Sequence, residues 1–264
     1  MPSVRPRLDP WLVPLVVLVI LGVATGGCGD DDVGEGSAAA GDIPSGEITV
    51  FAAASLTDVF SEVADAFATL NPDTDVTLNF ASSSDLVAQI GEGAPADVFA
   101  SADQTNMDNV VSEGLATDPV VFVENRLSIA VRQGNPQSIA TLEDLENEDL
   151  VVALCNEECP AGRYSLEIIE GAGVTVEPDS LEADVRGVLT RVGLGEADAG
   201  LVYATDIAAD PEVEAVNIPE DVNVIATYPI APIEGAPQAA SDFVEVVLSE
   251  TGQGILIDYG FQVP

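Results

Sequence analysis

Four short stretches place hydroxyls and small residues where helices should begin. They are Ser55 in AAASLT, the triplet Ser82-Ser83-Ser84, Pro160-Ala161-Gly162, and Asp184-Val185. The first turn of a helix exposes backbone N–H groups that have no partner within the helix, and it carries partial positive charge. Several such turns meeting at one point would bind an anion without Lys or Arg. Each stretch alone reads first as an ordinary N-cap, and spacing along the chain does not say whether they meet. The absence of His removes Ser-His and Cys-His nucleophiles, His bases and HExxH zinc chemistry. The remaining enzymatic reading is a carboxylate pair, Asp58 with Asp103 or Glu157 with Glu158. Among 46 acidic residues such pairs arise by chance.

The elements that must position these residues follow from apolar spacing. Residues 47–53 are a β-rich run. Val59, Phe60, Val63, Phe67 and Leu70 then recur at helical spacing, with Ser55 read as the cap and Asn71-Pro72 as the stop. The same reading predicts strands at 76–80, 97–100, 127–131, 150–154, 200–203 and 222–228. Helices are expected at 82–90, 104–113, 142–145, 160–170, 182–193, 238–248 and 253–259. Strands and helices alternate, which predicts an α/β fold with mainly parallel sheets covered on both faces. No GxxxxGK loop is present. The Gly pairs at 171/173 and 193/195 read as helix ends rather than a dinucleotide fingerprint.

The charge is far from neutral: 46 acidic against 7 basic residues, net −39, and every basic residue is an Arg. That repels phosphate backbones, so nucleic acid is excluded as a partner. The acidity reads as a strongly solvated surface, with cation binding as the other reading. The N-terminus differs from the rest. Arg5 and Arg7 precede an apolar run from Trp11 to Ala24, too short to span a membrane and suited to a signal-peptide core. Thr25-Gly26-Gly27 and Cys28 follow, which resembles a bacterial lipoprotein signal with Thr25 where Leu is usual. The expectation is a signal peptide over residues 1–27, a lipid on Cys28 and a flexible acidic tether over 28–45. Simple secretion and a retained N-terminal anchor helix are the alternatives. With Cys28 lipidated, Cys155 and Cys159 remain. In an oxidising compartment they suit a disulfide; free thiols and a metal site are the other readings, and two thiols make a poor zinc site.

The combination VFAAASLTD (50–58), FASSSDLVAQIGEGAPADVFASADQ (80–104), CPAGRYS (159–165), ADVRGVL (183–189) and GLVYATD (200–206) resembles the molybdate-binding proteins of molybdate ABC importers. The likeness covers residues 47–261 in the family's order. It implies a two-lobed type II periplasmic-binding-protein fold with the ligand in a cleft between lobes. It also implies ligand groups at Ser55, Ser83, Ala161, Val185 and Tyr203: hydroxyls from Ser55, Ser83 and Tyr203, and main-chain N–H groups, including those of Ala161 and Val185. Cys159, with Cys155 beside it, departs from the family's usual pattern next to PAG.

The expected lobes are 46–126 with 228–264, and 132–224, with crossings near 125–131 and 225–231. The expected ligand is molybdate or tungstate and the partner is an ABC importer permease. The protein is expected to be a monomer, without cofactor or catalysis, tethered at the outer face of the membrane or periplasmic. A donor-only site suits a fully deprotonated oxyanion; hydrogen phosphate also needs an acceptor. Sulfate remains an alternative, as does ferric iron, for which paired Tyr ligands would be expected and Tyr203 has no Tyr beside it in sequence. A ligand-sensing domain of a transcription regulator fits neither the export signal nor the lack of a basic segment.

Overall fold

The computed structural model describes residues 46–264. The signal sequence, Cys28 and the tether expected over 28–45 lie outside the described residues.

Strand β1 (Gly46–Ala53) buries Ile48, Val50 and Ala52 on one face and Phe51 and Ala53 on the other. A strand covered on both sides needs such a continuous apolar run. It pairs in parallel with β2 (Thr74–Ala81) and β3 (Val98–Ala100). Strand β9 (Ile225–Pro232) joins β3 antiparallel, and residues 120–126 of β4 (Val120–Arg132) pair with β9. Past Arg126, the same strand enters a second set of pairings. Its later half lies between β7 (Ala199–Tyr203) and β8 (Val213–Asn217), and β7 continues in parallel to β5 (Val152–Cys155) and β6 (Ser180–Glu182).

Helices α1 (Thr57–Leu70), α2 (Ser83–Gly91), α3 (Gln104–Ser112) and α7 (Gln238–Leu248) pack on the β1 side of this shared sheet, and α8 (Glu250–Asp258) packs on α1 and α7. Helices α4 (Pro160–Ala172), α5 (Val185–Leu194) and α6 (Ala204–Ala208) pack on the β5–β7 side. The α/β class stands as expected. Its strands are less uniformly parallel than the alternation predicts: β4, β8 and β9 run antiparallel to their neighbours. A strand that carries the chain out and one that brings it back must oppose each other when they lie side by side.

Other differences have local causes. Strand β4 spans 13 residues rather than the expected run at 127–131, because Glu124-Asn125-Arg126 interrupts the apolar pattern without interrupting the pairing. Strand β8 was not expected; Glu212 and Glu214 mask a short run whose partner is remote in sequence. The helix expected from 182 begins at Val185, since Ser180–Glu182 pairs with β5. Ser55 is not the cap of α1. It lies in a 3-10 turn, Ala54–Leu56, and the N-cap position, Leu56, makes no side-chain capping bond.

Candidate functional site

The carboxyl ends of the parallel strands converge on one small cavity. Strand β1 ends into Ala54-Ser55, β2 into Ser82-Ser83, and β3 leads to Ala102. Strand β5 leads to Cys159-Pro160-Ala161, β6 to Asp184-Val185, and β7 ends at Tyr203; all of these line the cavity, which is closed down to about 10 Å³. Crevices beyond the carboxyl ends of strands are where open α/β sheets bind ligands. The five positions named from sequence, Ser55, Ser83, Ala161, Val185 and Tyr203, are thus brought together here, and all are buried.

Each contributes a group with unused donor capacity. Ser83 and Val185 are the first residues of α2 and α5, and Ala161 is the second residue of α4, behind Pro160. Their amides have no acceptor within their own helices. The Ser83 hydroxyl accepts the Ala102 N–H at 3.0 Å, which leaves its own hydrogen free to donate. The Ser55 hydroxyl lies 3.0 Å from the Tyr228 hydroxyl, and if Tyr228 donates, Ser55 can donate onward. The Tyr203 hydroxyl is buried beside the Tyr228 hydroxyl and makes no hydrogen bond of good geometry in the folded chain. Burial pushes both Tyr203 and Tyr228 well above the ordinary phenol value, so both remain neutral donors.

The neighbouring serines serve differently. The Ser82 hydroxyl accepts the Asp85 N–H and donates to the Asp85 carboxylate at 2.7 Å, and it lies 3.1 Å from the Ser84 hydroxyl, so it caps α2. Asp184 is the one carboxylate residue on the cavity wall, and its Oδ1 accepts the Gly187 N–H at 3.0 Å. A larger hollow elsewhere, about 450 Å³, includes Glu146, Glu148, Glu177 and Asp179 in its lining, the wrong sign for an anion.

The carboxylate pairs considered from sequence do not form. Asp58 bonds Arg186 at 2.9 Å, and Asp103 bonds Arg163. Glu157 and Glu158 are exposed in the loop closed by the Cys155–Cys159 disulfide. Among the described residues, no group of three or more Cys, Asp or Glu side chains could hold a metal ion. Tyr203 does have a Tyr neighbour in space, contrary to its isolation in sequence: its ring centroid is 5.7 Å from that of Tyr228. Ferric iron takes phenolates, and burial disfavours them here.

Sequence reasoning missed Tyr228, Asp206 and the pairing of Arg163 and Arg186. Tyr228 bonds Ser55 across 173 positions, which no local pattern signals. Asp206 is fully buried, with Arg186 Nη1 at 3.6 Å from its Oδ1 and no hydrogen bond of good geometry. Burial lifts its carboxyl to about 7, against the pull of Arg186 and of the nearby Tyr203 amide.

Residues 48–262 match the bacterial extracellular solute-binding protein family. The molybdate-binding protein ModA of Mycobacterium tuberculosis (strain ATCC 25618 / H37Rv) is 39% identical over 221 residues, covering 82% of this chain and 85% of that protein. ModA of Escherichia coli (strain K12) is 36% identical over 232 residues, covering 83% and 90%. In fold, the chain is similar to the Azotobacter vinelandii periplasmic molybdate-binding protein. That comparison has a TM-score of 0.73 at 18% identity, covering 82% of this chain and 99% of that one. With nearly the whole described chain matched and these relatives beside it, this protein belongs to the bacterial extracellular solute-binding proteins.

Proposed function

We propose that the protein captures molybdate or tungstate outside the cytoplasm and delivers it to the membrane permease of an ABC importer. The observation that carries this reading is the Tyr203 hydroxyl, buried without a hydrogen bond of good geometry against a cavity walled by three helix starts. A tetrahedral oxyanion would accept from the Tyr203, Ser55 and Ser83 hydroxyls and from main-chain amides, including those of Ala161 and Val185. Relatives named for molybdate binding, at 36% and 39% identity, support molybdate over sulfate. The protein acts as a monomer, without cofactor and without catalysis.

In this reading residues 46–126 with 228–264 form one lobe and 132–224 the other, and β4 and β9 cross between them. Ligand binding closes the lobes by a hinge motion. A lipid on Cys28 holds the domain at the outer face of the membrane through the acidic 28–45 tether. Intact-mass analysis of membrane-extracted protein should find a diacylated N-terminus at Cys28; a water-soluble chain starting elsewhere would refute the anchor.

Calorimetric titration with molybdate, tungstate, sulfate and phosphate tests the ligand. Tight binding of the first two, with sulfate and phosphate far weaker, is expected. Sulfate or phosphate binding as tightly as molybdate would reassign the ligand.

A further inference from the structure

We propose that Arg163 and Arg186 are positioning residues that latch the two sides of the cleft over the bound anion, so that breaking their ion pairs governs how fast it leaves. This rests on the binding function proposed above.

Both arginines stand just beyond the groups that line the cavity. Arg186 follows Val185 in the first turn of α5, and Arg163 lies two residues beyond Ala161 in α4. Both helices pack on the β5–β7 side. Their partners come from the other side: Asp58 is in the first turn of α1, beyond Ser55, and Asp103 is the N-cap of α3, next to Ala102. The two pairs therefore bridge the cavity between different helices, one joining α1 to α5 and the other α3 to α4.

In so acidic a chain a surface Arg readily meets a carboxylate by chance. Two details exceed it. The Asp103 carboxylate is 4% exposed and is already held by the Ser101 hydroxyl, the Asn106 amide and the Asn106 side chain, so it presents a fixed target to Arg163. Arg186 stands between two carboxylates. Asp206, on its own side of the cleft, is buried at 3.6 Å, and Asp58, opposite, is at 2.9 Å. When the cleft opens, Arg186 loses Asp58 and keeps Asp206. The guanidinium is thus oriented in advance for closure, at little cost in side-chain freedom.

The same pairing separates release from capture. At long range the net charge of −39 outweighs two guanidinium groups, paired or not, so they draw little on a distant anion. They matter when the two sides separate, because both sides belong to a chain of net charge −39 and repel each other.

The test is release of radiolabelled molybdate from the full-length protein, chased with unlabelled molybdate, alongside the association rate. Asp58→Asn and Arg186→Gln should each speed release about threefold to tenfold, as expected for a half-exposed ion pair, and leave association within about twofold. The double variant should release no faster than the faster single one, since each single change already removes the Asp58–Arg186 contact. Asp58→Glu should restore slow release. Wild-type release should quicken with added NaCl, and Asp58→Asn should respond less. Arg163→Gln should reproduce the faster release independently of α1. Unchanged release in Asp58→Asn, Arg186→Gln and Arg163→Gln, with wild type binding molybdate, would overturn the latch alone. A wild-type protein that does not bind molybdate would overturn the proposed function and the latch with it.

Discussion

Tyr203 carries its hydroxyl to a buried cavity, beside Tyr228, where it makes no hydrogen bond of good geometry. An unsatisfied buried hydroxyl costs about 1–3 kcal/mol, a cost that a bound oxyanion would recover. Tyr203→Phe should leave the empty protein as stable as wild type or more so, while affinity for molybdate falls by about tenfold to a hundredfold. Ser82→Ala should do the reverse, losing about 1 kcal/mol of stability with its helix cap while changing affinity little. Thermal melts and calorimetric titration of both variants check the contrast; equal affinity in Tyr203→Phe and wild type would remove the phenol from the site. Asp206 invites a different test. Its carboxyl rises from an ordinary 3.8 to about 7 on folding, chiefly through burial. Between those values the folded chain holds a proton that the unfolded chain has released. Stability from this group is therefore present at low pH, declines as pH rises through that window, and levels off above about 7, with a span of at most about 4 kcal/mol. Asp206→Asn should flatten that decline, measured by urea unfolding at pH 5 and pH 8. A variant with the wild-type pH slope would show that Asp206 is not its source.

At the scale of elements, the start of α4 is held most tightly. A Cβ on Gly162 would lie 1.9 Å from the Asn156 carbonyl oxygen, because the 155–159 loop closes against the first turn of the helix. Gly162→Ala should cost about 1–3 kcal/mol of stability, because backbone atoms must move. Since Ala161 moves with that turn, molybdate affinity should fall as well. The disulfide closes only a short loop, so its effect on the unfolded chain is worth about 2 kcal/mol. The Cys155→Ser/Cys159→Ser double variant should lose roughly that much, and molybdate binding should weaken less than in Gly162→Ala. Thiol titration of unfolded, unreduced wild-type protein should find neither Cys155 nor Cys159 free. Full stability in the double variant would make the loop's packing, and not the bond, the support of this helix start.

For the whole molecule the governing quantity is net charge. Residues 1–27 carry Arg5, Arg7 and Asp9, a net +1, so a chain beginning at Cys28 is near −40. The far field opposes an approaching dianion, and affinity must come from short-range donors already in place. Salt should therefore speed molybdate association by screening that repulsion, the opposite of its effect on a basic binding protein. Stopped-flow association at about 20 mM and about 500 mM NaCl, between which the screening length falls about fivefold, decides the sign. A rate that falls with salt would mean that local attraction at the cleft outweighs the whole-molecule charge. The hinge belongs to this scale too. Small-angle scattering should show compaction on saturation with molybdate, and an unchanged radius would favour a rigid domain.

The sequence by itself determined much of this protein's character. Alternating strands and helices set the α/β class, and the absence of His and Lys narrowed the chemistry to hydroxyls, amides, carboxylates and a few Arg. Those properties reside in residue types and in spacings shorter than one element, which a linear chain displays directly. The helix starts were visible in the same way, as Ser82-Ser83 and Pro160-Ala161-Gly162. Their convergence was not, because it depends on strands that pair across long separations, as β1 does with β3 and β4 with β9. Nor could the chain alone separate Ser82, whose hydroxyl caps its helix, from Ser83, whose hydroxyl takes the Ala102 amide. The partners of Ser55, Arg163 and Arg186 lie 173, 60 and 128 positions away. Which of many carboxylates meets which Arg, and which phenol is left without a well-formed hydrogen bond, depends on distances of a few ångströms that exist only after the sheets have closed.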